Sequence, residues 1–72
     1  MIPKNTKKII LYLLKNLELI NINQISNKLS ISVGSAFKIL KELEKNNLVA
    51  SSILGNAKFY QINLNNEETI KW

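Results

Sequence analysis

Arginine, aspartate, histidine and cysteine are all missing from this chain of 72 residues. Each absence closes off some chemistry. Without cysteine there is no disulfide staple, no thiolate metal site and no thiol nucleophile. Without histidine the usual general base and metal ligand is gone. The carboxylates are Glu18, Glu42, Glu44, Glu67 and Glu68. Glu42 and Glu44 are two apart, so on a helix they do not face each other. Glu67 and Glu68 fall near an expected helix start, where the helix dipole accounts for them. No catalytic constellation and no metal-ligand set forms. The chain is expected to be no enzyme and to hold no cofactor, and no small-molecule pocket can be read from it. A long hydrophobic run is missing too. After the basic start of "KNTKKIILYLL", the apolar run Ile9 to Leu14 is six residues long. That is short of a secretory core and far short of the roughly 20 residues that span a membrane. A cytoplasmic protein with no membrane partner is expected.

Lysine is what the chain has in excess. Ten lysines against five glutamates give a net charge of +5. Such a balance suits a polyanion partner, although solubility alone also explains it. Asn, Ile and Lys are all abundant, a bias that resembles the product of an AT-rich genome, so drift supplies part of the charge. The length suits one small domain, 1–72, that buries little surface. Its stability must come from packing, helped by a partner chain or by the rest of a larger protein.

The apolar pattern divides the chain. Ile9, Ile10, Leu13, Leu14 and Leu17 recur at helical spacing behind Asn5 or Thr6 as cap, giving a first helix over about 5–16. "LELIN" (17–21) is a connector or one short strand. Asn21 or Asn23 caps a second helix over about 22–29, with Ile22, Ile25 and Leu29 on one face. Ser30 breaks it. Ser32 is the expected cap of a third helix over about 33–45, whose apolar stripe is Ala36, Ile39, Leu40 and Leu43. "NN" (Asn46, Asn47) ends that helix. The residues then turn β-branched and aromatic around Gly55-Asn56, two residues that tolerate positive φ in a hairpin turn. Two antiparallel strands follow, about 48–53 and 58–64, with Tyr60 and Ile62 as anchors to the core. Asn65 with Glu68 three residues on has a capping-box pattern, so a short terminal helix or tail is expected. The spacing of the second and third helices is that of a helix-turn-helix, with Ile31 plugging the turn.

On these residues the sequence resembles the winged helix-turn-helix family, in particular small archaeal and bacterial transcriptional regulators. "NQISNKLSISVGSAFKILKELEKNNLV" matches the helix-turn-helix, and "GNAKFYQIN" the wing turn and returning strand. Ser32, Ser35, Ala36 and Lys38 match the family's cap, small, apolar and basic positions. The resemblance implies an α+β, mainly helical fold of three helices with a two-stranded β-hairpin wing. It also implies binding to double-stranded DNA, with the third helix in the major groove and the wing, 54–58, on the backbone or in the minor groove. A winged helix also serves as a protein-docking module, so docking within a larger assembly is the rival function.

The third helix can be tested as a reader. Stepping about 100° per residue from Ala36 puts Leu40, Leu43 and Ile39 within roughly 60° of it. Gly34, Lys38, Lys41 and Lys45 fall at roughly 140–200°, a stripe opposite the core. Ser35 and Phe37 lie on the flanks. Gly34 then leaves room outside the helix, next to Ser32 and Val33, at the end where N–H groups and dipole receive phosphate. The candidate DNA-binding residues are Ser32, Val33, Gly34, Ser35, Phe37, Lys38, Lys41, Asn56 and Lys58. The plainer explanations stand beside them. Lysines opposite a core are what a soluble helix shows, and Lys38 could pair with Glu42 one turn on. Phe37 is expected to pack on the second helix or wing, with a thymine methyl as its alternative contact. Lys4, Lys7 and Lys8 could touch the backbone from the first helix. Leu11, Tyr12, Ile70 and Trp72 have no assigned place in the core and suggest a homodimer interface.

Overall fold

The computed structural model describes residues 2–64 of the chain. Three helices and three short strands follow in the order α1 (Lys4–Lys15), β1 (Ile20–Asn21), α2 (Ile22–Leu29), α3 (Val33–Lys45), β2 (Val49–Leu54) and β3 (Ala57–Ile62). The fold is the mainly helical α+β winged helix-turn-helix expected. The capping box at Asn65 and Glu68, and the terminal helix or tail after it, lie outside the described residues.

Each helix starts where a local acceptor meets its unpaired N–H groups. The side chain of Asn21 accepts from Gln24 N–H at 2.9 Å, and Gln24 returns the bond to Asn21 N–H at 3.0 Å, a reciprocal box. Ser32 accepts from Ser35 N–H at 3.2 Å. The first helix corrects the expectation of an Asn5 or Thr6 cap. It begins at Lys4 behind Pro3, which makes no side-chain cap bond. The Pro3 carbonyl instead accepts Lys7 N–H at 3.0 Å, and its ring fixes φ at the helix boundary.

The helix ends explain the turns. Asn47 sits at φ +62° beyond α3. Its N–H bonds the Glu44 carbonyl at 3.0 Å, and the Leu48 N–H bonds the Leu43 carbonyl at 2.9 Å. That is a Schellman motif, and Leu43 and Leu48, both buried, supply its apolar contact. Leu48 is thereby used in the cap, and β2 starts at Val49 and not at 48. Ser30, at φ +56°, ends α2 in the same left-handed region.

The sheet also differs from a bare two-stranded hairpin. Its order is β1-β3-β2, with Ile20 opposite Tyr60 on one side of β3 and Val49 opposite Ile62 on the other. "LELIN" therefore contributes a strand of two residues that covers the inner edge of the hairpin. Leu54 lies opposite Ala57, so the loop is the two residues Gly55-Asn56 and β3 runs over 57–62, earlier than 58–64. Gly55 carries φ +64° and Asn56 is not among the positive-φ residues. That is the pattern of a II′ turn, which needs glycine at its first central position only.

The core joins all these elements. Ile9, Ile10 and Leu13 from α1 meet Ile25 from α2, Ala36, Leu40 and Leu43 from α3, and Ile20, Val49, Tyr60 and Ile62 from the sheet. Ile31, buried in the α2–α3 turn, completes it. Ser26 is the one buried polar residue among the described residues. Its carbonyl accepts Ile31 N–H at 3.1 Å, and its hydroxyl donates to the Ile31 carbonyl. Ser26→Ala strands that carbonyl. It should lower the unfolding free energy in urea by about 1–2 kcal/mol, and an unchanged midpoint would show that the hydroxyl is dispensable.

Candidate nucleic-acid interface

The helix-turn-helix presents α3 with one face in the core and the other open. Ala36, Leu40 and Leu43 are buried and Ile39 is half-buried, while Gly34, Lys38, Lys41 and Lys45 are exposed. The angular stripe expected from the sequence is therefore present. A Cβ built on Gly34 would have nothing within 4 Å, so the glycine does not relieve crowding inside the molecule. Ser32, Val33 and Ser35 are also exposed. The start of α3 has no acidic residue in its first turn, so its positive end, capped by Ser32, meets no negatively charged side chain of that turn.

The fold brings α1 to the same side. An open groove is lined by Pro3, Lys4, Asn5 and Thr6 from the start of α1 and by Ser35, Lys38 and Ile39 from α3. Lys4 thus joins Lys38 and Ser35 around one concavity. Lys8, weighed with it from the sequence, is used elsewhere. Its ammonium donates to the Leu29 carbonyl at 3.3 Å, at the negative end of α2, where a cation is favourable. No local signal could have separated the two lysines, because Leu29 lies 21 residues from Lys8.

Phe37 corrects the expected packing. It is 46 % exposed and stands outside the core, a large apolar side chain on the flank of the lysine stripe. Among the described residues no ion pair joins Lys38 to Glu42; the pair present is Lys58 with Glu44 at 3.7 Å. Lys58 is consequently turned back toward α3, away from the wing tip. Ser51 donates a hydrogen bond to the same carboxylate. Asn56 remains exposed in the turn between Gly55 and Ala57. The part of Glu44 was not legible from the sequence, where it appeared only as a flank residue. Of the proposed interface between chains, Leu11 is exposed and Tyr12 is half-buried against the core; Ile70 and Trp72 lie outside the described residues.

Among the described residues no helix is long and apolar enough to cross a membrane, and no group of three or more His, Cys, Asp or Glu could hold a metal ion.

Because a Cβ at Gly34 meets open space, Gly34→Ala should raise stability by about 0.5 kcal/mol, the usual helix preference for alanine. A fall in the thermal midpoint would show that the position is crowded.

Comparison with known proteins places this geometry. The MarR family model matches residues 5–56. No curated protein sequence matches at a significant level. Among solved structures, a cysteine-to-serine mutant of Lactococcus lactis ZitR is similar with a TM-score of 0.78 and 22 % identity, over 97 % of this chain and 49 % of that one. A glutamate-to-alanine mutant of the same protein gives a TM-score of 0.77 at 22 % identity, over 99 % and 47 %. Lactococcus lactis ZitR itself, described as a zinc-responsive MarR family member, gives 0.76 at 22 % identity, over 99 % and 48 %. The chain therefore spans about half the length of these proteins.

Proposed function

The chain belongs to the MarR family, whose members are transcription regulators that bind DNA through a winged helix, and we propose that it binds double-stranded DNA as such a regulator, in the cytoplasm, with residues 1–72 as one domain. In this proposal α3 enters the major groove and the hairpin lies along the backbone or minor groove. The observation that carries it is the exposed face of α3, where Lys38, Lys41 and Lys45 stand beside an open Gly34. Ser32, Val33, Ser35 and Phe37 border that face at its N-terminal end, where backbone N–H groups receive phosphate. Asn56 is the polar candidate at the wing tip. Lys4 adds a backbone contact from α1, across the groove from Lys38.

The absence of arginine shapes the readout. Bidentate arginine–guanine contacts are unavailable, so lysine, serine and asparagine must contact base edges, and DNA shape must carry more of the selectivity. The zinc response named for ZitR does not come with the fold. This chain has no His, Cys or Asp, the residues that with Glu make zinc sites.

Dimers are typical of the family, and one domain of this size covers a single half-site. We place Leu11, Tyr12, Ile70 and Trp72 at a homodimer interface. Leu11 supports this as an exposed leucine on α1.

Two measurements test the proposal. Lys38→Glu with Lys41→Glu should lower DNA affinity by about a hundredfold or more with the circular dichroism unchanged, and the wild type should lose affinity with a log–log salt slope near −4 to −5 for about four to six neutralised phosphates. A flat salt dependence, or a double variant that binds normally, points to a protein-docking module. Sedimentation at high micromolar concentration should give a dimer, and a monomer there rules out the interface.

A further inference from the structure

Beyond the shared core, one carboxylate of α3 meets both strands of the hairpin, and this bears on how the DNA contacts proposed above are divided. Glu44 sits in the last turns of α3. Its Oε2 accepts from the Ser51 hydroxyl, and its Oε1 lies 3.7 Å from the Lys58 ammonium. Ser51 belongs to β2 and Lys58 to β3. Ser51 is opposite Tyr60 and Lys58 is opposite Ile53, and alternate residues share a face, so both side chains lie on the face of the hairpin that carries the buried Tyr60. The Lys58 ammonium is also 5.5 Å from the centre of the Tyr60 ring, within the range of a cation–π attraction. One glutamate thus meets both strands of the wing and their single cation.

The rest of the wing is uncharged. Between Val49 and Ile62 Lys58 is the only ionisable group of either sign besides Tyr60. The tip is Leu54, Gly55, Asn56 and Ala57, all exposed. Ile53, beyond the reach of the core, is 73 % exposed. A wing that tracked phosphates by charge would send Lys58 outward, and here Glu44 draws it in. The side chains of Lys58 and Glu44 are 42 % and 37 % exposed, so the pair itself stabilises the fold little. Its consequence is where the charge sits.

We propose that Glu44 is a positioning residue that draws Lys58 toward α3 and withholds it from DNA phosphates. This rests on the DNA-binding function proposed above. The lysines of α3 and the start of α1 then release the counterions, and the wing meets DNA through uncharged side chains alone.

The experiment is a salt titration of affinity for one duplex, with wild type, Lys58→Gln, Glu44→Ala, the double variant, and Glu42→Ala as a control that removes the same charge from the same helix. Lys58→Gln should leave the log–log slope unchanged. Glu44→Ala should steepen it by about 0.9, one further phosphate, or about 3.5-fold more affinity lost between about 50 mM and about 200 mM salt. Adding Lys58→Gln to Glu44→Ala should restore the wild-type slope, and Glu42→Ala should not move it. A slope flattened by about 0.9 in Lys58→Gln alone puts that lysine on a phosphate and overturns the proposal. So does a steeper slope that survives in the double variant. A second measurement needs no DNA. Acetylation of the Lys58 amine by an amine-reactive reagent, followed by mass spectrometry, should speed up in Glu44→Ala and not in Glu42→Ala. An unchanged rate overturns the pairing even where DNA binding holds. Wild-type protein with no salt-dependent binding, its Lys58 still protected, instead overturns the DNA-binding function and the withholding with it.

Discussion

The α2–α3 turn sets the geometry on which the rest depends. Ile31 is buried between the two helices, which places a backbone N–H and carbonyl where water does not reach. Both must find partners inside the protein. Ser26 supplies them, accepting the N–H with its carbonyl and meeting the carbonyl with its hydroxyl. Ser30 completes the turn by taking a left-handed conformation, one that non-glycine residues adopt at some cost. With the turn closed in this way α3 has one orientation. Its buried residues Ala36, Leu40 and Leu43 enter the common core, and the lysines opposite them face outward together.

From that orientation the outer surface follows. The start of α3 comes beside the start of α1, and Lys4, Ser35 and Lys38 share one groove. The far end of α3 comes beside the hairpin, where Glu44 meets Ser51 and Lys58. The two ends therefore differ in character. The N-terminal end and the outer stripe offer lysines, hydroxyls and an open glycine. At the C-terminal end a glutamate meets the serine and the lysine of the wing. A chain with lysine as its one kind of basic side chain thus divides its cations by position: some face solvent along α3, and others, Lys8 and Lys58, are held by acceptors of the protein itself.

How much of this was legible in the sequence depends on the range of the interaction. The limits of α2 and α3 were readable, because apolar spacing and the caps Asn21 and Ser32 act within one turn of helix. The outward stripe of α3 was readable for the same reason. The cap of α1, Pro3 in place of Asn5 or Thr6, was misjudged by two or three residues, and the start of β2 by one, because Leu48 is claimed by the helix cap. Phe37 was misjudged differently. Its angle on the helix was right, but whether a flank residue is covered depends on which neighbour arrives there.

The sequence by itself determined the three helices to within a residue, the hairpin turn at Gly55 and the buried faces of the helices, since periodicity, capping and positive φ are properties of a few consecutive residues. Leu17, counted on the apolar face of α1, is exposed, and Ile20, Leu48 and Val49 joined the core only through the sheet and the helix cap. Only the tertiary structure decided which polar side chains stay outside. Lys8 reaches a carbonyl 21 residues on, and Gln61 reaches the Leu17 carbonyl 44 residues back. Strand β1 exists as a strand only because β3 returns beside it. Lys58 is paired because α3 set Glu44 within its reach. These outcomes depend on how distant segments meet, and the pattern of neighbouring residues holds no record of that.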